Sequence, residues 1–225
     1  MPTVDVPNIA ANTPLWLALL TTFIAAVSGA ILGRKPGRVS YDIVGVCVFA
    51  VALGIGGGIT RDLLLGNLPP LALRSPWYIV TVLAAVITVL IVGRWISVDS
   101  WTFVILDALA LGLYAVIAAQ MAVEFGLPDI GAITVGALAA VTGGVVVSLL
   151  RGETPQILLP SQPYALLAVI GATIYVLIDG LSGGIAALAC LSTVIILRVV
   201  TLKWDLRTRG VRPLPPTRGE SDSED

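Results

Sequence analysis

The 225-residue chain is 57% hydrophobic and 12% charged, with a mean hydropathy of +0.98 and a formal net charge of -1. A soluble domain carries about 25% charged residues, so this composition excludes one and defines a membrane protein. The near-neutral balance gives no basis for a nucleic-acid partner, and apolar runs that are continuous instead of alternating point to an all-α integral membrane fold and away from a β-barrel.

Residues 1–13 form an extracytoplasmic N-terminal segment with no basic stretch ahead of the first apolar run, so that run is expected to remain as a span. A helix needs about 20 apolar residues to cross the hydrocarbon core. On that criterion the chain predicts seven transmembrane helices, at about 14–33, 41–65, 77–96, 101–123, 129–150, 163–179 and 182–200. From Thr201 the sequence "TLKWDLRTRGVRPLPPTRGESDSED" turns to charge, proline and serine, which predicts a disordered tail over 201–225.

Seven spans place the first, third and fifth connections on the side of the C-terminus. That side then collects Arg34, Lys35, Arg38, Arg94, Arg151, Arg198, Lys203, Arg207, Arg209, Arg212 and Arg218, which is 11 of the 13 basic residues. Only Arg61 and Arg74 face the other way. The positive-inside rule therefore predicts a multi-pass protein of the cell membrane with its N-terminus outside and its C-terminus cytoplasmic.

The stretch "GGITRDLLLGNLPP" from Gly57 lies over "GGVVVSLLRGETPQ" from Gly143 at an offset of 86 residues. Gly57, Gly58, Gly66, Pro69 and Tyr78 fall on Gly143, Gly144, Gly152, Pro155 and Tyr164. Two three-helix repeats follow, over 14–100 and 101–181, with a seventh helix at 182–200 outside them. An odd number of spans per repeat makes the second copy enter from the opposite side, and inverted repeats with glycine-interrupted helices are a transport architecture.

Gly56, Gly57 and Gly58, with Gly143 and Gly144 in the second copy, weaken a helix by about 1 kcal/mol each and mark places where it can kink. Such sites line a path, or they let two helices approach closely. Arg61 and Asp62 follow within one turn. They either line an aqueous vestibule as a gate, or Arg61 snorkels to the headgroups. Val147 and Ser148 stand in their place in the second copy. Asp107 lies inside the fourth span and reads as a partner for Arg61, part of a hydrated path, or a hydrogen-bonded packing residue. Thr142 and Ser148 are candidates to replace part of a cation's hydration.

Enzyme chemistry is not supported. There is no histidine, Cys47 and Cys190 sit in apolar runs, and "GIGGGITRD" lacks the Gly-Lys-Ser/Thr ending of a phosphate loop. No metal or other cofactor is expected.

The strings "AAVSGAILGRK", "YDIVGV", "GGGITRDLLLGNLPP", "LDALALGLYAVIAAQMA" and "TGGVVVSLLRGETP" resemble the trimeric intracellular cation channels and their prokaryotic relatives, which have also been labelled glycine-transporter-domain proteins. The resemblance covers about residues 15–200. It implies a homotrimer in membrane lipid with one pore per subunit, lined by the second and fifth helices at their glycine kinks and passing monovalent cations, chiefly potassium with some sodium. On this chain it reaches Gly56, Gly57, Gly58, Gly143 and Gly144 as kinks, and Arg61, Asp62 and Asp107 as polar pathway residues. Val147 and Ser148 depart from a second Arg-Asp pair, and Met121 stands where a basic residue is common. The alternatives are a secondary transporter of a small solute such as glycine, whose carboxylate would meet Arg61, and a non-conducting scaffold.

Overall fold

The computed structural model describes residues 13–35, 39–92, 100–160, 162–180 and 182–209. Expectations placed on residues 1–12, Arg38, Arg94, Arg212, Arg218 and the rest of 210–225 lie outside these. Among the described residues there are eight α-helices, one 3-10 turn at Gln156–Leu158, and no strand. The helices are α1 (Leu15–Gly33), α2 (Ile43–Leu64), α3 (Leu71–Arg74), α4 (Trp77–Val92), α5 (Trp101–Glu124), α6 (Asp129–Leu150), α7 (Tyr164–Ile178) and α8 (Gly183–Lys203).

Local chemistry sets the helix ends. The Asp42 carboxylate accepts the Gly45 N–H at 2.8 Å to cap α2, and the Ser100 hydroxyl accepts the Phe103 N–H at 3.2 Å to cap α5. Pro14, Pro128 and Pro163 immediately precede α1, α6 and α7. At the other end, α2 and α6 stop in the same way. Gly66 and Gly152 take φ of 68°, and the next N–H turns back to an earlier carbonyl, Asn67 to Asp62 at 2.8 Å and Glu153 to Ser148 at 2.9 Å. This closing motif needs a left-handed residue, which explains why glycine recurs at these two matched positions.

Five helices, α1, α2, α5, α6 and α8, are long and apolar enough to cross a membrane, and α4 and α7 are shorter apolar helices of 16 and 15 residues. Large side chains such as Ile87, Ile91, Leu166, Leu177, Leu188 and Ile196 face outward. An apolar outer surface of this extent suits lipid. These features make the chain a multi-pass membrane protein. α8 runs to Lys203, a few residues past the expected boundary, and α3 was not anticipated because one turn carries no periodicity.

The interior is built from small residues. Ala26, Ala30, Ala50 and Ala85 join Val82 and Val89 in a core shared by α1, α2 and α4. Ala115, Ala168, Ala172, Ala186, Cys190 and Val194 form another, mainly among α5, α7 and α8. Alanine lets helix backbones approach where lipid offers no hydrophobic drive for association. The two groups meet where α2 packs on α6 and α1 on α5.

Candidate functional site

The α2–α6 crossing is made by the glycines, and they divide into two kinds. A side chain at Gly57 would strike the Ala139 carbonyl and come within 3.0 Å of the Tyr114 ring. One at Gly143 would lie 3.2 Å from the Leu53 Cα, and one at Gly56 would lie 3.5 Å from the Gly143 Cα. These three allow backbone to meet backbone. At Gly58 and Gly144 an added Cβ would find nothing within 4 Å. α2 and α6 are nevertheless α-helical from end to end through all five positions.

The space beside Gly58 and Gly144 belongs to a row of cavities. One of about 20 Å³ is bounded by Thr21, Thr22, Gly58, Arg61, Tyr78 and Tyr114. The next, about 10 Å³, lies among Gly57, Asp107, Tyr114, Gly143, Gly144 and Tyr164. A third, about 140 Å³, is bounded by Asp107, Gly144, Ser148, Arg151, Tyr164 and Arg198. Tyr114 is common to the first two, and Asp107, Gly144 and Tyr164 to the last two. The middle cavity is at the threshold of about 10–15 Å³ needed for a single water. A row of cavities therefore runs from Arg61 to Arg198, and between the first two stands Tyr114, whose hydroxyl donates to the Gly54 carbonyl and ties α5 to α2.

Hydroxyl groups along this region give their protons to their own helices. Ser148 Oγ donates to the Gly144 carbonyl at 2.9 Å, and Thr142 Oγ1 to the Leu138 carbonyl at 2.6 Å. An oxygen whose proton is so committed presents lone pairs outward, the arrangement a cation requires. Ser148 does this at the 140 Å³ cavity, while Thr142 lines none of the three.

Arg61 and Asp62 pair with each other. Asp62 is fully buried and Arg61 is 5% exposed. The Arg61 Nε and Nη2 atoms both lie 2.8 Å from Asp62 Oδ1, and Asp62 Oδ2 accepts the Leu71 N–H at 2.7 Å. The carboxylate thus pins the start of α3 to the end of α2. Arg61 lines the small cavity, but Asp62 stands behind it. Asp107 is not a partner of Arg61. It accepts from the Tyr164 hydroxyl at 3.2 Å and faces Arg198 Nη2 at 3.6 Å, at the other end of the row.

Several residues of this site escaped sequence reasoning. Tyr114 lies seven residues after Asp107 and so shares its helix face, a spacing that could have revealed it. Arg198, inside "VIILRVV", entered only as a topology charge although it interrupts an apolar span. Arg151 ties the end of α6 to α1 by donating to the Leu32 carbonyl, and its guanidinium also holds Glu153 at 2.9 Å. That hydrogen bond lowers the Glu153 carboxyl below its ordinary pKa.

Ion pairs at both ends of a row of cavities lie inside a bundle with an apolar exterior, that of a polytopic membrane protein. The family model described as Glycine transporter matches residues 15–94 and 104–180, and the chain belongs to this family. It is 34% identical over 158 residues to the UPF0126 membrane protein of Deinococcus radiodurans, a match covering 70% of this chain and 72% of that one. It is 26% identical over 197 residues to the UPF0126 inner membrane protein YadS of Escherichia coli K12, covering 85% and 93%. Among solved structures, one that addresses conductance through TRIC cation channels has a TM-score of 0.78 at 28% identity and covers 91% of this chain and 100% of that one. The TRIC trimeric intracellular cation channel orthologue from Rhodobacter sphaeroides has a TM-score of 0.77 at 29% identity, covering 85% and 98%.

Proposed function

We propose that the protein is a channel for monovalent cations, chiefly potassium with some sodium, with one pore per subunit of a homotrimer and no enzymatic activity. The observation that carries this reading is the row of three cavities from Arg61 to Arg198, with Tyr114 shared by the first two and Asp107 by the last two. The pore runs beside α2 and α6, with Gly58 and Gly144 facing it and Gly56, Gly57 and Gly143 holding the crossing close enough to form it. Bending at the glycines, without loss of helix, widens the neck. Ser148 and backbone carbonyls replace part of the ion's hydration, and the Arg61–Asp62 pair controls access at the α2 end. The similar structures are of cation channels, which supports this reading over the coupled uptake of glycine.

The topology in this reading has seven crossings, α1, α2, α4, α5, α6, α7 and α8, with α3 lying at one end. α1, α2 and α4 form the first repeat, and α5, α6 and α7 the inverted second. Its support is the offset that carries Gly66 onto Gly152 at the ends of α2 and α6, and Tyr78 onto Tyr164 near the starts of α4 and α7, although the same glycine ending also closes α5 at Gly126. The arginine distribution puts the Arg198 end in the cytoplasm and the Arg61 end outside.

Purified protein in a planar bilayer under a potassium chloride gradient tests the function. Unitary currents reversing near the potassium equilibrium potential are expected. Silence from folded, inserted protein overturns the channel reading, and labelled glycine counterflow then becomes the assay.

A further inference from the structure

The two ends of the cavity row are built alike but from different helices. At one end Tyr78 stands with Arg61 and Asp62, both from α2. At the other, Tyr164 stands with Asp107 from α5 and Arg198 from α8, because α6 carries Val147 and Ser148 where a second charged pair would be. The repeat offset that carries Tyr78 onto Tyr164 carries no arginine onto Arg198. The seventh helix supplies what the second repeat lacks.

We propose that Arg198 is a gate for this end of the pore, a tethered cation that occupies the permeant ion's place at Asp107. This rests on the channel reading and adds to it a residue outside both repeats. Arg198 is 7% exposed and borders the 140 Å³ cavity, and Asp107 borders both that cavity and the pinched one beyond. Its guanidinium therefore faces, from the large-cavity side, the residue that the two cavities share. A fixed positive charge there opposes a cation, whereas the Asp107 carboxylate without it attracts one.

The holding contacts are loose. Arg198 Nη2 is 3.6 Å from Asp107, Nη1 is 3.3 Å from the Gln162 side-chain oxygen, the Tyr164 ring centroid is 5.0 Å away, and Nε is buried with no hydrogen-bond partner. Arg61, by contrast, has two nitrogens at 2.8 Å from Asp62. A pair meant only to brace the fold would close to the shorter distance and satisfy Nε. Arg198 sits in a shallow well from which it can leave, and an ion arriving at Asp107 competes for the same carboxylate.

The test uses the full chain and two readouts. In bilayers, Arg198→Gln is expected to raise open probability about ten-fold and to flatten its dependence on potassium concentration, while Arg198→Lys keeps a charge and falls between. Separately, in sealed vesicles and a Cys47→Ser background, Gly144→Cys reports access to the inner cavity through its rate of modification by an impermeant thiol reagent. That rate is expected to rise about ten-fold when Arg198→Gln is added. Unchanged open probability and unchanged labelling in a folded trimer overturn the gate. Wild-type protein that is silent in the bilayer counts against the channel, whereas the labelling rate still decides whether Arg198 blocks the cavity. If Arg198→Gln does not fold, the same two readouts on Arg198→Lys decide. A rate and open probability equal to wild type overturn the proposal.

Discussion

The Tyr114 hydroxyl of α5 donates to the Gly54 carbonyl of α2, two residues before the glycine run. This bond holds the ring between the two smaller cavities of the row. Tyr114→Phe keeps the ring and removes the tie, so the neck is expected to open more often at a stability cost of about 0.5–1.5 kcal/mol, since the helical carbonyl retains its own backbone partner. Tyr114→Ala removes the ring as well and should raise unitary conductance. Single-channel recording distinguishes the two, and equal, wild-type behaviour in both would show that the neck lies elsewhere.

The two kinds of glycine separate blocking from folding. Gly58→Leu and Gly144→Leu place a side chain in open space and should abolish current while the protein still elutes as a folded assembly. Gly57→Leu and Gly143→Leu drive a side chain into the backbone of the facing helix, and overpacking of this kind costs about 1–3 kcal/mol or more. Their yield and Tm should fall. Current recordings alone would not tell the pairs apart, so thermal melts in detergent accompany them.

Breaking the Arg61–Asp62 pair leaves a buried charge alone. Either Arg61→Gln or Asp62→Asn is expected to destabilise the fold, with about 3–5 kcal/mol for loss of one partner of a buried pair. Arg61→Gln should be the worse, because it leaves an ionised carboxylate with only the Leu71 N–H. The combined neutral variant should recover part of the loss. Additive melting temperatures would show that the two side chains do not act as a unit.

Gly66→Ala and Gly152→Ala both force a side chain into the left-handed region, at about 1–2 kcal/mol each. Equal losses are expected if the two helix endings are equivalent members of a repeat. A loss at one position only, read from the Tm of each variant, would remove that support for the repeat.

The membrane class and the long helices were legible because lipid demands length and apolarity, both of which are visible in one dimension. α4 and α7 were legible as apolar runs, and the 15 residues of α7 lie between Pro163 and Gly180. The chemical difference between Gly57 and Gly58 was not legible. One residue turns a helix by about 100°, and which direction faces α6 depends on a crossing that sequence does not state. Asp107 was legible as a charge within a span, yet its partner lies 91 residues away on α8, at a separation no local pattern encodes.

The two ion pairs also differ in when they can form. Arg61 and Asp62 are neighbours, so α2 leaves the ribosome with its charges already matched and can enter the bilayer nearly neutral. Asp107 and Arg198 are 91 residues apart, so the acid is made well before its partner. Until α8 arrives, α5 must keep an unmatched acid within the membrane, where a lone charge is costly. A nascent chain stalled before α8 therefore exposes a defect that the arrival of α8 conceals.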